Sequence, residues 1–162
     1  MTMTERVWLP PAEWYASLPS VLVAAGGLIT GTSGDVLLVK PNYREHWGFP
    51  GGMVDEGEPP DEACARELFE EVGLSVNPGR LLVVGWTPPL GDRLRPMLYL
   101  LFDCGTVPDD VTIRLQVEEL DDHAFLPPEQ ATARLEPMVS GRLPAALRAR
   151  ESGQAEYLVT AP

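Results

Sequence analysis

The stretch Phe49–Leu74, FPGGMVDEGEPPDEACARELFEEVGL, decides how the rest of the chain is read. It holds eight carboxylates and a single basic residue, Arg66. Helical signals begin at Pro59-Pro60, because proline is tolerated in the first helical turn. They stop at Gly73, the residue type favoured just past a helix end. The spacing therefore predicts a helix over residues 60–72, and Asp61 and Glu62 in its first turn suit the helix dipole. Glu67, Glu70 and Glu71 stand at i, i+3 and i+4 and share one face. Ala65, Leu68, Phe69 and Val72 form an apolar stripe expected to bury against a sheet. A solvated face usually interleaves basic residues, whereas Glu67 and Glu71 oppose each other at a cost of a few tenths of a kcal/mol. A hard dication would remove that repulsion, and Mg²⁺ takes oxygen ligands while keeping waters and substrate phosphates in its shell. Ahead of the helix, Gly51 and Gly52 let the backbone approach closely and can aim a carbonyl oxygen at a metal. Glu58 lies where a carboxylate can brace the loop by accepting from free N–H groups.

Working outward, SVLVAAGGLIT and DVLLVK are β-rich runs joined by the turn-forming GTSG. Beyond the helix, RLLVVGWTP, PMLYLLFDC and VTIRLQVEEL are three further strand candidates, followed by a short HAFLP. From Pro128 to about Arg150 the apolar spacing is helical, with Pro137 and Pro144 expected to break it into pieces. The order of elements implies an α/β fold, a mixed sheet with helices packed against it. We divide the chain into an N-terminal arm packed on the domain (1–19), one domain (20–150) and a C-terminal tail (151–162).

At 162 residues the chain is long enough to bury a core of its own. Its formal charge of −12 argues against duplex nucleic acid as a partner, since that grip comes from Lys and Arg on phosphates. A small phosphorylated ligand stays open, because a divalent metal reverses the local sign of a site. Lys40 is the only lysine; arginine, suited to phosphate oxygens, supplies the other cations. Cys64 and Cys104 have no metal-ligand spacing and read as buried thiols of a reducing compartment. No signal peptide opens the chain and no run spans a membrane, so a soluble cytoplasmic protein is expected.

Gly52, five residues, Glu58, seven residues, Arg66-Glu67-Leu68, one residue, Glu70-Glu71, one residue and Gly73-Leu74 is a pattern that resembles the Nudix box, the signature of the Nudix hydrolases, at every defined position. The flanking WGFPGG and the strand order are similar to that family too. The resemblance implies an α/β/α sandwich and Mg²⁺-dependent hydrolysis of a diphosphate linkage, with Mn²⁺ as a substitute. The implied substrate is a small nucleoside diphosphate derivative, either ADP-ribose-like or a nucleoside triphosphate. Carried over by position, Glu67, Glu70 and Glu71 are the metal carboxylates and Gly51 offers its carbonyl. Arg66 orients the glutamates, while Gly52, Glu58 and Gly73 shape the loop and helix end. Family members differ in their general base; Glu119, ahead of Glu118, is in place for a carboxylate outside the box, and a polar strand end explains both equally. Pro89, fifteen residues after the box, has a spacing similar to the ADP-ribose branch, which any proline-rich loop would also give. Relatives are often homodimers. A nucleotide-sensing regulator without catalysis and a prenyl diphosphate isomerase are the alternatives.

Beyond the box, Lys40, Arg44, Arg93 and Arg95 are candidates to grip substrate phosphates, against solvated surface charge as the plainer reading. His46 is a phosphate contact, a base or an exposed loop histidine. Trp47, Phe49 and Trp86 fit either a wall for a flat base or ordinary core packing.

Overall fold

A computed structural model describes residues 8–160. The elements run α1 (Pro11–Ala16), β1 (Leu22–Thr30), β2 (Val36–Pro41), β3 (Gly51–Met53), α2 (Pro60–Val72), β4 (Leu81–Thr87), β5 (Met97–Thr106), β6 (Leu120–Leu126), α3 (Pro128–Arg134), a 3-10 turn (Pro137–Val139), α4 (Arg142–Ser152) and β7 (Glu156–Val159). The sheet order is β6-β2-β1-β5-β4-β7, with β3 on the same edge of β1 as β2. β1 runs parallel to β5, and β4 parallel to β7; the other pairs are antiparallel.

Alternation along the buried strands splits the core in two. Leu28, Val36, Leu38, Leu82 and Leu101 face α3 and α4, where Ala131, Leu143, Ala146 and Ala149 close the layer. Ile29, Leu37, Val39 and Phe102 face α2, which contributes Ala63, Cys64, Leu68 and Val72. The result is the expected α/β/α sandwich around a mixed sheet. Arg150 ties the α4 layer to the sheet: Nη2 and Nε donate to Asp103 at 2.6 and 3.2 Å, Nη1 to Thr30 Oγ1 at 3.1 Å, and Nη2 also to the Leu28 carbonyl at 3.0 Å.

Helix α2 occupies the predicted span and ends on Gly73 at φ 73°, the left-handed conformation that glycine adopts without a Cβ penalty. Its buried stripe is rotated from the expected one. Cys64, Leu68, Glu71 and Val72 are buried, whereas Phe69 is 55% exposed and Ala65 only partly covered. The sheet thus meets α2 beside the Glu71 edge, and the three glutamates fall on a boundary instead of a solvent face.

Four other expectations change. VTIRLQVEEL makes no strand before Leu120; Arg114 and Gln116 instead donate their backbone N–H to the carbonyls of Val72 and Glu71. That segment therefore caps the end of α2, and its alternating Val111, Ile113 and Leu115 pack on the α2 core. Pro144 does not break α4, because it lies in the first turn where its missing N–H costs nothing. Residues 156–159 of the tail pair with β4 through Val83–Trp86 and extend the sheet, so the tail is not separate from the domain. Of the N-terminal arm, residues 1–7 lie outside the described residues. In the remainder α1 buries no side chain, so the packing expected of the arm is not seen there.

Candidate active site

β3 and α2 bring the acidic residues together. β3 pairs with β1 through Gly26 and Gly51, and a Cβ on Gly51 would strike the Ala25 carbonyl. A Cβ on Gly52 would run into the Glu67 carboxylate. Both glycines are therefore fixed by close approach, one to the neighbouring strand and one to the helix carboxylate. Glu71 is 6% exposed, and its Oε2 accepts the Gly51 N–H at 2.7 Å. Burial pushes its pKa up to about 7, the negative charges of Glu67 and Glu119 add to that, and the Gly51 N–H and Arg44 oppose it. Glu67 is raised too, first by burial and then by Glu70 and Glu119, against the pull of Arg66.

Arg66 organises the outer side of this cluster. Its Nε and Nη2 donate to the two Glu58 oxygens at 2.9 and 3.0 Å. Nη1 donates to Glu67 at 2.9 Å and Glu70 at 3.1 Å, and Nη2 also to the Met53 carbonyl at 3.2 Å. Glu58 accepts in addition the Asp55 N–H at 3.1 Å. Arg66 holds the Glu58 carboxyl below the ordinary carboxylate range, and Glu58 in turn raises Arg66. One guanidinium thus joins loop, strand and helix.

Next to the cluster opens a cleft of about 540 Å³. Gly51, Gly52 and Met53 line it at one end; Tyr99, Leu135, Glu136, Val139 and Arg142 line it elsewhere. Arg44, His46, Trp47 and Phe49 also face it, on a loop pinned by the Val39–Gly48 bridge and by the Trp47 N–H on the Arg134 carbonyl at 3.1 Å. Trp47 lies under the Arg134 guanidinium at 5.0 Å. Phe49, 8% exposed, belongs to the α4-side core as well.

The family model described as NUDIX domain matches residues 21–147. The chain belongs to the Nudix family. It is 44% identical over 57 residues to the RNA pyrophosphohydrolase of Aliivibrio fischeri (strain MJ11), 35% of this chain and 34% of that one. The chain thus matches about a third of the length of its curated relatives. Among solved structures, the MutT protein from Methanosarcina mazei Go1 superposes with a TM-score of 0.70 at 22% identity, over 82% of this chain and 97% of that one. A C. elegans Ap4A hydrolase binary complex gives 0.66 at 21% identity, over 82% and 99%. At these identities the structural likeness concerns the fold.

The fold brings Gly51 together with Gly52, Glu58, Arg66, Glu67, Glu70 and Glu71 of the Nudix box. Glu119 is near enough for its charge to act on both Glu67 and Glu71. Glu118, by contrast, offers its backbone carbonyl to Asn42 at 2.8 Å. Among the described residues no three carboxylate, histidine or thiol side chains are arranged to hold one ion; Arg66 and the Gly51 N–H engage one oxygen of each of Glu67, Glu70 and Glu71. The donor set still fits a hard dication. It is all oxygen, and it crowds anions whose mutual repulsion a cation relieves.

Some candidates are not brought to the site. Arg93 donates to the carbonyls of Arg95 and Pro88 at 2.6 and 2.9 Å, and neither Arg93 nor Arg95 lines the cleft. Lys40 is folded onto the carbonyls of Pro41 and Arg44, and Trp86 does not line the cleft. Sequence reasoning missed Tyr99, Glu136 and Arg142. A lone arginine at a helix start gives no local signal; only the folded chain places it on an aromatic ring inside the cleft.

Proposed function

We propose that the protein is a Mg²⁺-dependent pyrophosphohydrolase acting on a nucleoside diphosphate derivative, with Mn²⁺ able to substitute. The observation that carries this reading is the buried Glu71 carboxylate fixed on Gly51 and flanked by Glu67, at the end of a cleft with aromatic walls. Glu67, Glu70, Glu71 and the Gly51 carbonyl are the oxygens that would hold the metal. When bound, the metal neutralises phosphate oxygens and helps lower the pKa of the attacking water.

The chain's own residues supply the rest. Arg66 holds Glu67 and Glu70 together through one nitrogen, and its bidentate hold on Glu58 braces the loop that follows Gly51 and Gly52. Arg44 adds positive charge beside the diphosphate. Glu119 receives the proton of the water as the water oxygen bonds to phosphorus; the bond to the leaving phosphate breaks in line. A carboxylate outside the ligand set suits that role, since the ligand glutamates are engaged.

The test is a panel of diphosphates with Mg²⁺ and Mn²⁺ in ¹⁸O water, read by phosphorus NMR. Wild type should release phosphate or a nucleotide with ¹⁸O on one phosphorus. Glu71→Gln should nearly abolish turnover while keeping its thermal unfolding transition, and Glu119→Gln should lose turnover by roughly 10²–10⁴-fold. Turnover of every diphosphate at the wild-type rate by both Glu70→Gln and Glu71→Gln would remove the site assignment.

A further inference from the structure

Arg142 stands in the cleft without an anion. Its guanidinium lies 4.3 Å over the Tyr99 ring and donates to Thr87 Oγ1 at 3.2 Å. A Cβ on Gly85 would stand 3.1 Å from its Nε, so the glycine lets it lie flat on β4. Among the described residues it makes no other side-chain hydrogen bond and no ion pair. Burial lowers its pKa, and the nearby Tyr99 and Glu136 partly offset that. Glu136 lines the same cleft and accepts no side-chain hydrogen bond among the described residues. A donor-only group and an acceptor-only group thus share one cavity, whose lining also includes Arg44, Glu45 and His46, with no hydrogen bond or ion pair between the two.

We propose that Arg142 and Glu136 form a base-reading pair that selects guanine in the substrate, a reading that rests on the proposed hydrolysis of a nucleoside diphosphate derivative. Guanine carries two adjacent acceptors, O6 and N7, the pair that an arginine fork engages bidentately. On its other edge it carries N1–H and the N2 amine, two donors for one carboxylate. Adenine puts its N6 amine, a donor, where Arg142 also donates. Uracil has one ring N–H for Glu136, and cytosine has an acceptor there. A further phosphate would suit Arg142 alone but would meet the Glu136 charge. Trp47, Met97, Leu135 and Val139 supply the apolar walls that a flat bicyclic ring needs.

The experiment combines calorimetric binding of GMP, IMP and AMP with kcat/KM on guanosine, inosine and adenosine forms of one diphosphate derivative. GMP should bind on the order of 10–100-fold more tightly than AMP. IMP, which keeps O6, N7 and N1–H but lacks the N2 amine, should fall between them. Glu136→Ala should bring the GMP to IMP ratio to about one, and Arg142→Lys should collapse the GMP to AMP ratio. Glu136 precedes the 3-10 turn in a loop, so its variant tests the pair even where Arg142→Lys unfolds. Equal binding of GMP and AMP overturns the proposal. So does a preference that survives both variants, or an equal loss for all three nucleotides in Arg142→Lys, which would make Arg142 a phosphate contact. Base-indifferent hydrolysis overturns the guanine assignment alone; guanine-selective binding without hydrolysis overturns only the proposed reaction.

Discussion

Arg66 braces the acidic cluster beside the cleft and Arg142 lines the cleft itself, and the two are used in opposite ways. Arg66, on the α2 face, spends its nitrogens on Glu58, Glu67, Glu70 and the Met53 carbonyl. Arg142, on the α4 face, has one hydroxyl and one aromatic ring. A guanidinium whose donors are all engaged by the protein holds shape; one left with free donors in a cavity is set up for a ligand. Arg150 belongs with Arg66 in this respect, since Asp103, Thr30 and the Leu28 carbonyl engage it.

The largest effect that sharpens this contrast should come from Arg66→Lys. An ammonium keeps the charge but cannot bridge both Glu58 oxygens while reaching Glu67 and Glu70. Partners that orient metal ligands typically cost 10–100-fold when changed, so kcat/KM should fall on the order of 10–100-fold for every base. Titration with Mg²⁺ should show a matching loss of affinity. An Arg66→Lys enzyme that changed base preference instead would break the distinction between the two arginines.

Arg150→Ala should then separate shape from selectivity on the α4 face itself. Its partners are partly buried, and hydrogen bonds to charged groups are worth roughly 1.5–3 kcal/mol. Thermal melting should fall by about 2–4 °C per kcal/mol lost for a chain of this size, with the guanine to adenine ratio untouched. A changed ratio would mean that Arg142 depends on the Arg150 clamp for its position.

How well each face could be read from sequence follows from where its partners lie in the chain. The α2 unit was legible because Pro60, Gly73, the i+3 and i+4 glutamates and Gly51-Gly52 are all local to one another. β1, β2, β4 and β5 announced themselves as continuous apolar runs for the same reason. Residues 111–119 misled because their alternation is satisfied by α2 rather than by a neighbouring strand, a tertiary partner invisible in the segment. The apolar stripe was off by part of a turn, since nothing local says that the sheet meets α2 at Glu71 and not at Phe69. β7 is only four residues long and exists through its pairing with β4. Arg142 gains meaning solely from Tyr99 on β5 and Gly85 and Thr87 on β4, which the sequence keeps far apart.

The smallest effect tests whether Arg66 shapes the loop through charge. Arg66 and the Asp55 N–H hold the Glu58 pKa below its ordinary value, so the folded state binds that proton more weakly than the unfolded chain does. Stability from this pair is therefore fully present above the unfolded pKa of Glu58 and is lost as pH falls through its lower folded value. Glu58 is partly buried at the surface, and screening by the nearby solvent keeps the contribution small. Melting curves from pH 7 down to pH 3 should fall slightly less steeply for Glu58→Gln than for wild type, because the variant has no proton to take up at that site. Identical slopes would mean that the loop is held by hydrogen bonds of Arg66 that do not need an ionised Glu58, including that to the Met53 carbonyl, and that the charge on Glu58 contributes nothing to its shape.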